Sequence, residues 1–233
     1  MCATAGYPHE DEQIGPFRVV RRIGGGGMGA VFEAVDVPLR RRVALKVIAP
    51  RLAGEAEFRE RFTAEARSQA ALDSRHVVRV YAHGDQAGRL YIATELFPDG
   101  DLACLLDNVG PPQIRVGLDL VSQVAAGLAA AHAVGLIHRD IKPANVLLRR
   151  RGDVVSASLG DFGVACRPGA WPPREVGSIG TPTWMAPELH AGIPAGVGSD
   201  LYSLGCLLWA TLTGRAPYAG ATEERVIAAH REQ

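Results

Sequence analysis

Short apolar runs dominate the first hundred residues. FRVVRRIG (17–24), AVFEAVD (30–36), RRVALKVIA (41–49), HVVRVYAHGD (76–85) and RLYIATEL (89–96) are rich in Val and Ile and bounded by Gly, Pro or charged turns. That pattern predicts strands. One helix is predicted among them, from about Glu55 to Leu72. After FPDGD the period lengthens, and Ile114, Leu118, Val121, Ala125 and Leu128 recur at helical spacing within 113–134. DLYSLGCLLWATL at 200–212 is apolar nearly all round, which predicts a buried central helix. A strand-rich half followed by a helix-rich half implies an α+β, two-lobed architecture.

Composition changes this picture little. The chain has 233 residues, 25 basic against 25 acidic, with 47% hydrophobic and 21% charged. A balanced charge gives no ground to expect nucleic acid or a membrane surface as partner. Arg40–Arg42 and Arg149–Arg151 sit between apolar runs and read as solvated loop tips. The four cysteines (Cys2, Cys104, Cys166, Cys206) form no CxxC pair, which argues against a zinc site or disulfide framework and fits a reducing cytoplasm. MCATAGYPHEDEQ lacks the basic and apolar regions of a signal peptide, so residues 1–14 read as a disordered acidic tail. No run of 18 apolar residues is present, so no membrane segment is expected.

Three stretches carry chemistry. In IGGGGMGAV, Gly24, Gly26 and Gly29 form GxGxxG with Val31 two residues on. Such glycines let backbone amides approach phosphates without Cβ interference. A dinucleotide fingerprint has the same spacing but opens a helix. Here the flanks are strand-like, so the reading is a glycine-rich hairpin, functional or merely flexible. Lys46 lies within VALKVI among apolar neighbours. Phe58, Phe62 and Glu65 share a face of the following helix, and a carboxylate on an apolar stripe calls for a cation, for which Lys46 is the candidate. The alternatives are a snorkelling lysine and a solvated glutamate.

The third is LIHRDIKPANVLL (136–148), taken with SLGDFGVA (158–165). Charged groups crowded between two buried runs gain nothing in stability unless partnered. Asn145 and Asp161 are oxygen ligands suited to Mg²⁺. Asp140 can accept a proton from an attacking hydroxyl, and Lys142 can neutralise a phosphoryl group in transfer. Phosphoryl transfer asks a protein for little beyond such positioning and charge.

In these motifs the chain resembles the eukaryotic-like serine/threonine protein kinases of bacteria. The matching residues are Gly24-x-Gly26-x-x-Gly29-x-Val31, Lys46 in VALK, Glu65, HRDIKPAN at 138–145, DFG at 161–163 and APE at 186–188, in the family's order across 15–233. The resemblance implies the two-lobed protein kinase fold. Its antiparallel-sheet lobe with one helix would span 15–97, and a mostly helical lobe 98–233. It implies transfer of the ATP γ-phosphoryl group to Ser or Thr of proteins, with Mg²⁺, or Mn²⁺ in its place. Asp140 would be the catalytic base and Lys142 a γ-phosphate contact. Asn145 and Asp161 would hold metal, and Lys46 with Glu65 the α- and β-phosphates. The nucleotide would lie between the lobes, with Ile23, Gly24, Gly26, Gly29, Val31 and Ala44 around it and Thr94, Glu95 and Phe97 at the adenine.

Further expectations rest on the same resemblance. GTPTW with KPAN suits Ser/Thr acceptors and, with APE, a peptide-docking segment. Thr181 would lie near Asp140 and Lys142. Autophosphorylation would fall on Ser178 or Thr183, with Arg139 holding the phosphate and dimerisation serving transfer in trans. Asp200, which also reads as a helix cap, would bond the HRD backbone. His132 and His138 read as satisfied core histidines. Protein substrates are expected and nucleic acid is not. The expected location is the cytoplasm, unless a longer parent anchors the domain in a membrane. The family continues with further helices beyond ATEERVIAAHREQ, so Glu188 is expected to lack its arginine partner. A nucleotide-binding pseudokinase or scaffold, and a fragment inactive for want of those helices, are the alternative functions.

Overall fold

The computed structural model describes residues 6–162, 182–220 and 222–232. Two compact units divide the chain, one from Met1–Ala71 with Arg79–Leu96, the other from Leu72–Val78 with Phe97–Gln233.

The first unit is a six-stranded antiparallel sheet in the order β1-β2-β3-β4-β6-β5. Its strands are β1 (Gln13–Ile14), β2 (Phe17–Gly26), β3 (Gly29–Asp36), β4 (Arg41–Ile48), β5 (Val80–Gln86) and β6 (Arg89–Glu95). Alternation along β4 puts Val43, Leu45 and Val47 into the core with Phe17, Val19, Phe32, Ala34 and Ala93. Helices α1 (Pro50–Ala53) and α2 (Ala56–Ala70) belong to this unit, with Phe62 and Ala66 of α2 buried. The buried Glu33 carboxylate on β3 is held by Arg21 at 2.9 Å and by Arg42, and Arg41 pairs with Asp36 at 3.1 Å, so two arginines of the first triplet are ion-pair partners rather than free loop tips.

Residues 6–14 depart from the expected tail. Gln13 and Ile14 pair with Arg18 and Phe17, Ile14 is 1% exposed, and Glu12 bonds Arg89 at 2.5 Å. Ile14 is the one strongly apolar residue in an otherwise polar stretch, so composition alone hides its burial.

The second unit holds α3 (Leu102–Asn108), α4 (Ile114–Ala133), the hairpin β7 (Val146–Arg151) and β8 (Val154–Leu159), α5 (Pro187–His190), α6 (Val197–Thr213) and α7 (Glu223–Glu232). Among the described residues, α4 is the one helix long and apolar enough to cross a membrane. Its apolar face is taken up by this unit's core, where Leu120, Val124, Leu128 and Ala131 pack with Leu148, Leu159 and Leu207.

Two helical faces differ from expectation. On α4 the buried positions are Gly117, Leu120, Val121, Val124, Gly127, Leu128 and Ala131, while Ile114 and Leu118 are exposed. Glycines and alanines supply close approach there, and a search for large residues overlooks them. Gly127 is such a contact, since a Cβ on it would collide with the His76 carbonyl. Helix α6 is not buried all round either. Cys206, Leu207, Ala210 and Thr211 are buried, whereas Leu201 and Trp209 are 54% and 57% exposed.

Candidate active site

The loop from Leu136 to Asn145 runs between α4 and β7 and is fixed at both ends by buried residues, Leu136, Ile137, Ile141 and Val146. Its apolar positions anchor the chain, so its polar positions are placed with little freedom. Lys142 Nζ donates to Asp140 Oδ1 at 3.0 Å and Oδ2 at 2.7 Å. Asn145 Nδ2 donates to the Asp140 carbonyl at 2.6 Å and to Oδ2 at 3.0 Å. One carboxylate is thus gripped by an ammonium and an amide, which fixes its direction.

Below this carboxylate lies a second layer. The Asp200 carboxylate of α6, 1% exposed, accepts from His138 N and Arg139 N, each at 2.8 Å, and bonds His132 Nε2 at 2.8 Å. Asp200 thus does more than cap a helix, and His132, expected to be a satisfied core histidine, finds its partner in that carboxylate. Arg139 has φ 69°, a left-handed conformation costly for a residue with a Cβ. The two bonds from Asp200 hold the backbone across that residue.

His138 is wholly buried, and its ring lies 4.5 Å from that of Phe162. Its Nε2 can only donate to the Gly160 carbonyl at 3.0 Å, so Nδ1 carries the lone pair that accepts from Asp140 N at 3.2 Å. Burial lowers its pKa below the ordinary histidine value, against the opposing pull of Asp200. A neutral His138 therefore ties the 138–140 turn to the strand end carrying Asp161. Asp161 follows β8, is exposed, and has φ 55°. Gly160 N bonds the Asn145 carbonyl at 2.8 Å, which links the Asn145 and Asp161 segments by one peptide.

These residues suit a hard cation. Asn145 donates through its nitrogen, so its amide oxygen is the atom with which it could meet a cation, and Asp161 is an exposed acidic residue. Among the described residues no three His, Cys, Asp or Glu side chains form a closed metal cage. One buried amide and one exposed carboxylate side chain are the kind of oxygen donors suited to an ion that keeps waters and shares phosphate oxygens.

The candidate nucleotide residues of the first unit lie largely on one surface of its sheet. Register pairs Val31 with Lys46, and Ala44 with Thr94, on the face opposite buried Leu45 and Ala93. Gly24 pairs with Val31, Gly25 with Ala30 and Gly26 with Gly29, so the glycines do form a hairpin. Ile23 stands beside them, 39% exposed. A Cβ at Gly29 would strike the Val47 carbonyl, so close backbone packing requires glycine there. Lys46 and Glu65 are both half-buried, on β4 and α2. Glu95 N bonds the Arg79 carbonyl at 3.0 Å. Phe97 opens the second unit, with the Arg149 guanidinium 4.5 Å from its ring centre.

Ser178 and Thr181 fall outside the described residues, whereas Thr183 lies in the 3-10 turn Pro182–Trp184. The Glu188 carboxylate, for which no arginine partner is expected, is bonded by a hydroxyl: Ser199 Oγ donates to its Oε1 at 2.6 Å and itself accepts from Gly196 N at 3.1 Å. Nothing in the sequence around Ser199 signals this bond. Sequence reasoning also missed His230 of α7, whose Nε2 bonds the Thr183 carbonyl at 3.0 Å. A lone histidine near the end of a charged helix gives no signal.

Comparison with known proteins bears on this arrangement. The protein kinase domain model matches residues 17–233. Serine/threonine-protein kinase PknD of Mycobacterium tuberculosis is 38% identical over 224 residues, 96% of this chain and 33% of that protein. PknE of Mycobacterium bovis is 38% identical over 225 residues, 96% of this chain and 39% of its own. PknA of Mycobacterium tuberculosis is 40% identical over 212 residues, 88% and 48% respectively. The chain spans between a third and a half of these relatives. With the domain matched along nearly its whole length and these relatives beside it, the chain belongs to the protein kinase family, in its bacterial serine/threonine branch.

Proposed function

We propose that the chain transfers the γ-phosphoryl group of ATP to Ser or Thr hydroxyls of proteins. The observation that carries this reading is the grip of Lys142 and Asn145 on the Asp140 carboxylate. In the proposed step the acceptor hydroxyl oxygen bonds the γ-phosphorus, the bond to the β-phosphate oxygen breaks, and ADP leaves. The hydroxyl proton passes to Asp140. Lys142, already within bonding distance of Asp140, offsets charge on the group in transfer.

Asn145 and Asp161 would hold Mg²⁺, or Mn²⁺ in its place, which when bound neutralises phosphate charge. Lys46, supported by Glu65, would bind the α- and β-phosphates. The hairpin glycines, Ile23, Val31 and Ala44 would border the nucleotide, and Thr94, Glu95 and Phe97 the adenine. We place autophosphorylation on Ser178 or Thr183, by a second copy acting in trans. Cytoplasmic location is part of the same reading, supported by free Cys104 and Cys206.

Lys46→Ala tests the phosphate anchor. Placed charges of this kind contribute roughly 10²- to 10⁴-fold, so incorporation of labelled phosphate into a generic protein acceptor should fall by about that factor. Retention of more than half the activity would remove Lys46 from the site.

A further inference from the structure

A pocket of about 380 Å³ opens beside Lys142, lined also by Leu106, Ala144, Trp184, Ala210 and Ala216. Lys142 is the residue that grips Asp140, so one wall of this pocket is the proposed transfer centre and another is Trp184. The turn bearing Trp184 is pinned from beneath by two carbonyls. Ser203 Oγ donates to the Trp184 carbonyl at 2.6 Å, and His230 Nε2 reaches the Thr183 carbonyl at 3.0 Å.

We propose that His230 is a positioning residue for the protein acceptor, holding the Thr183–Trp184 wall in place in its neutral form. This rests on the reading of Asp140 and Lys142 as the phosphoryl-transfer centre.

Hydrogen-bond bookkeeping fixes the tautomer. A carbonyl accepts only, so Nε2 carries the proton and Nδ1 a lone pair. Tyr202 Oη lies 2.6 Å from Nδ1 and donates to it. Burial raises the Tyr202 pKa to about 12, so its hydroxyl keeps that proton throughout the working range. Both ring nitrogens are satisfied, and the ring is 2% exposed.

A second proton would have a poor environment. Facing His230 are His190 of α5, its ring centre 6.0 Å away, Tyr202 of α6 at 5.6 Å and Tyr218 at 4.9 Å. The charged or titratable neighbours beyond them are Arg231 of α7, Cys206 of α6 and Glu188 of α5. The single carboxylate among these already accepts from Ser199. His190 Nε2 is itself buried without a hydrogen-bond partner among the described residues. Burial accordingly lowers the pKa of both His230 and His190. Where His230 does take a proton, Nδ1 turns from acceptor to donor against the Tyr202 hydroxyl, and the clamp loosens.

The test uses the full chain, with a Ser/Thr-containing protein acceptor and ATP. His230→Phe keeps an aromatic ring, though a larger one, and removes both bonds. It should raise the acceptor KM about tenfold, the worth of one hydrogen bond to a buried group, while ATP KM and slow ATP hydrolysis stay within about twofold. Parent acceptor KM should rise as pH falls from 7 to 5.5, and the variant should lose that dependence. His230→Gln, which can still donate to the Thr183 carbonyl, should recover part of the loss. Tyr202→Phe, a smaller change that serves if His230→Phe does not fold, should shift the parent's pH dependence. Hydrogen exchange of 182–190 should quicken in both. Unchanged acceptor KM, or an equal fall in acceptor phosphorylation and ATP hydrolysis, would overturn the positioning role. A parent that transfers no phosphate would instead overturn the kinase reading and the acceptor role with it, and hydrogen exchange would still report whether the clamp exists.

Discussion

Replacing Asp200 by Ala should damage both stability and catalysis, although Asp200 touches no reactant. Its carboxylate accepts two backbone N–H bonds, from His138 and Arg139, and bonds His132, all at 2.8 Å. The change leaves two backbone donors and one imidazole inside the protein without acceptors. Hydrogen bonds to a buried charge contribute about 1.5–3 kcal/mol each, and orphaned buried donors cost about 1–3 kcal/mol. Arg139 adds to this, because its φ of 69° persists only while neighbouring bonds over-determine it. Relaxation of that residue would turn Asp140, the next in the chain. A net loss of roughly 3–5 kcal/mol is expected, since partial rehydration offsets part of the sum. For a domain of this size that corresponds to a melting temperature lower by about 10 °C or more. Differential scanning calorimetry measures it, with phosphoryl transfer at a temperature where the variant remains folded as the second readout. Transfer should still be at least tenfold down in the folded variant. A melting shift under about 2 °C together with unchanged transfer would refute the claim that Asp200 holds the loop.

Gly127→Ala should destabilise, although Ala is the better helix former by about 1 kcal/mol, because the added Cβ collides with the His76 carbonyl. Overpacking of that kind costs about 1–3 kcal/mol, so a denaturant midpoint above that of the parent would contradict the packing described. Stability should also fall as pH drops below about 6.5. Burial depresses the folded-state pKa of His138, His190 and His230, so the unfolded chain binds more protons in the window between that value and the lowered ones. The loss begins as pH falls through the unfolded value and levels off below the folded ones. Urea titrations from pH 7.5 to 5 that gave a constant unfolding free energy would contradict it.

Much of this architecture was legible because its signals are local. Alternation in RRVALKVI buries Val43, Leu45 and Val47 and turns Lys46 to the other face, as period two requires. The polar loop between two apolar anchors was legible too, since buried Ile137 and Val146 leave its Asp, Lys and Asn few places to go. Relations across long sequence separations were legible only where the resemblance supplied them, as for Asp200 and the 138–139 backbone. The ties of Ser199 to Glu188 and of His230 to Thr183 span 11 and 47 residues, and nothing near any of the four reveals them. The α4 face was misjudged for a different reason. Helical spacing singles out the large Ile114 and Leu118, which are exposed, whereas close helix packing buries Gly117, Val124 and Gly127.

In the proposed phosphoryl transfer to protein Ser or Thr, Asp140 accepts the hydroxyl proton. Asp140→Asn keeps the shape of the side chain and one acceptor oxygen for Lys142 and Asn145, while removing its basicity and its charge. Phosphoamino-acid analysis of an acceptor incubated with ATP and Mg²⁺ should show phosphoserine and phosphothreonine with the parent, reduced roughly 10²- to 10⁴-fold with the variant. Equal incorporation by the two proteins, or none by either while nucleotide still binds, would contradict the account, and the second outcome would leave a nucleotide-binding scaffold in its place.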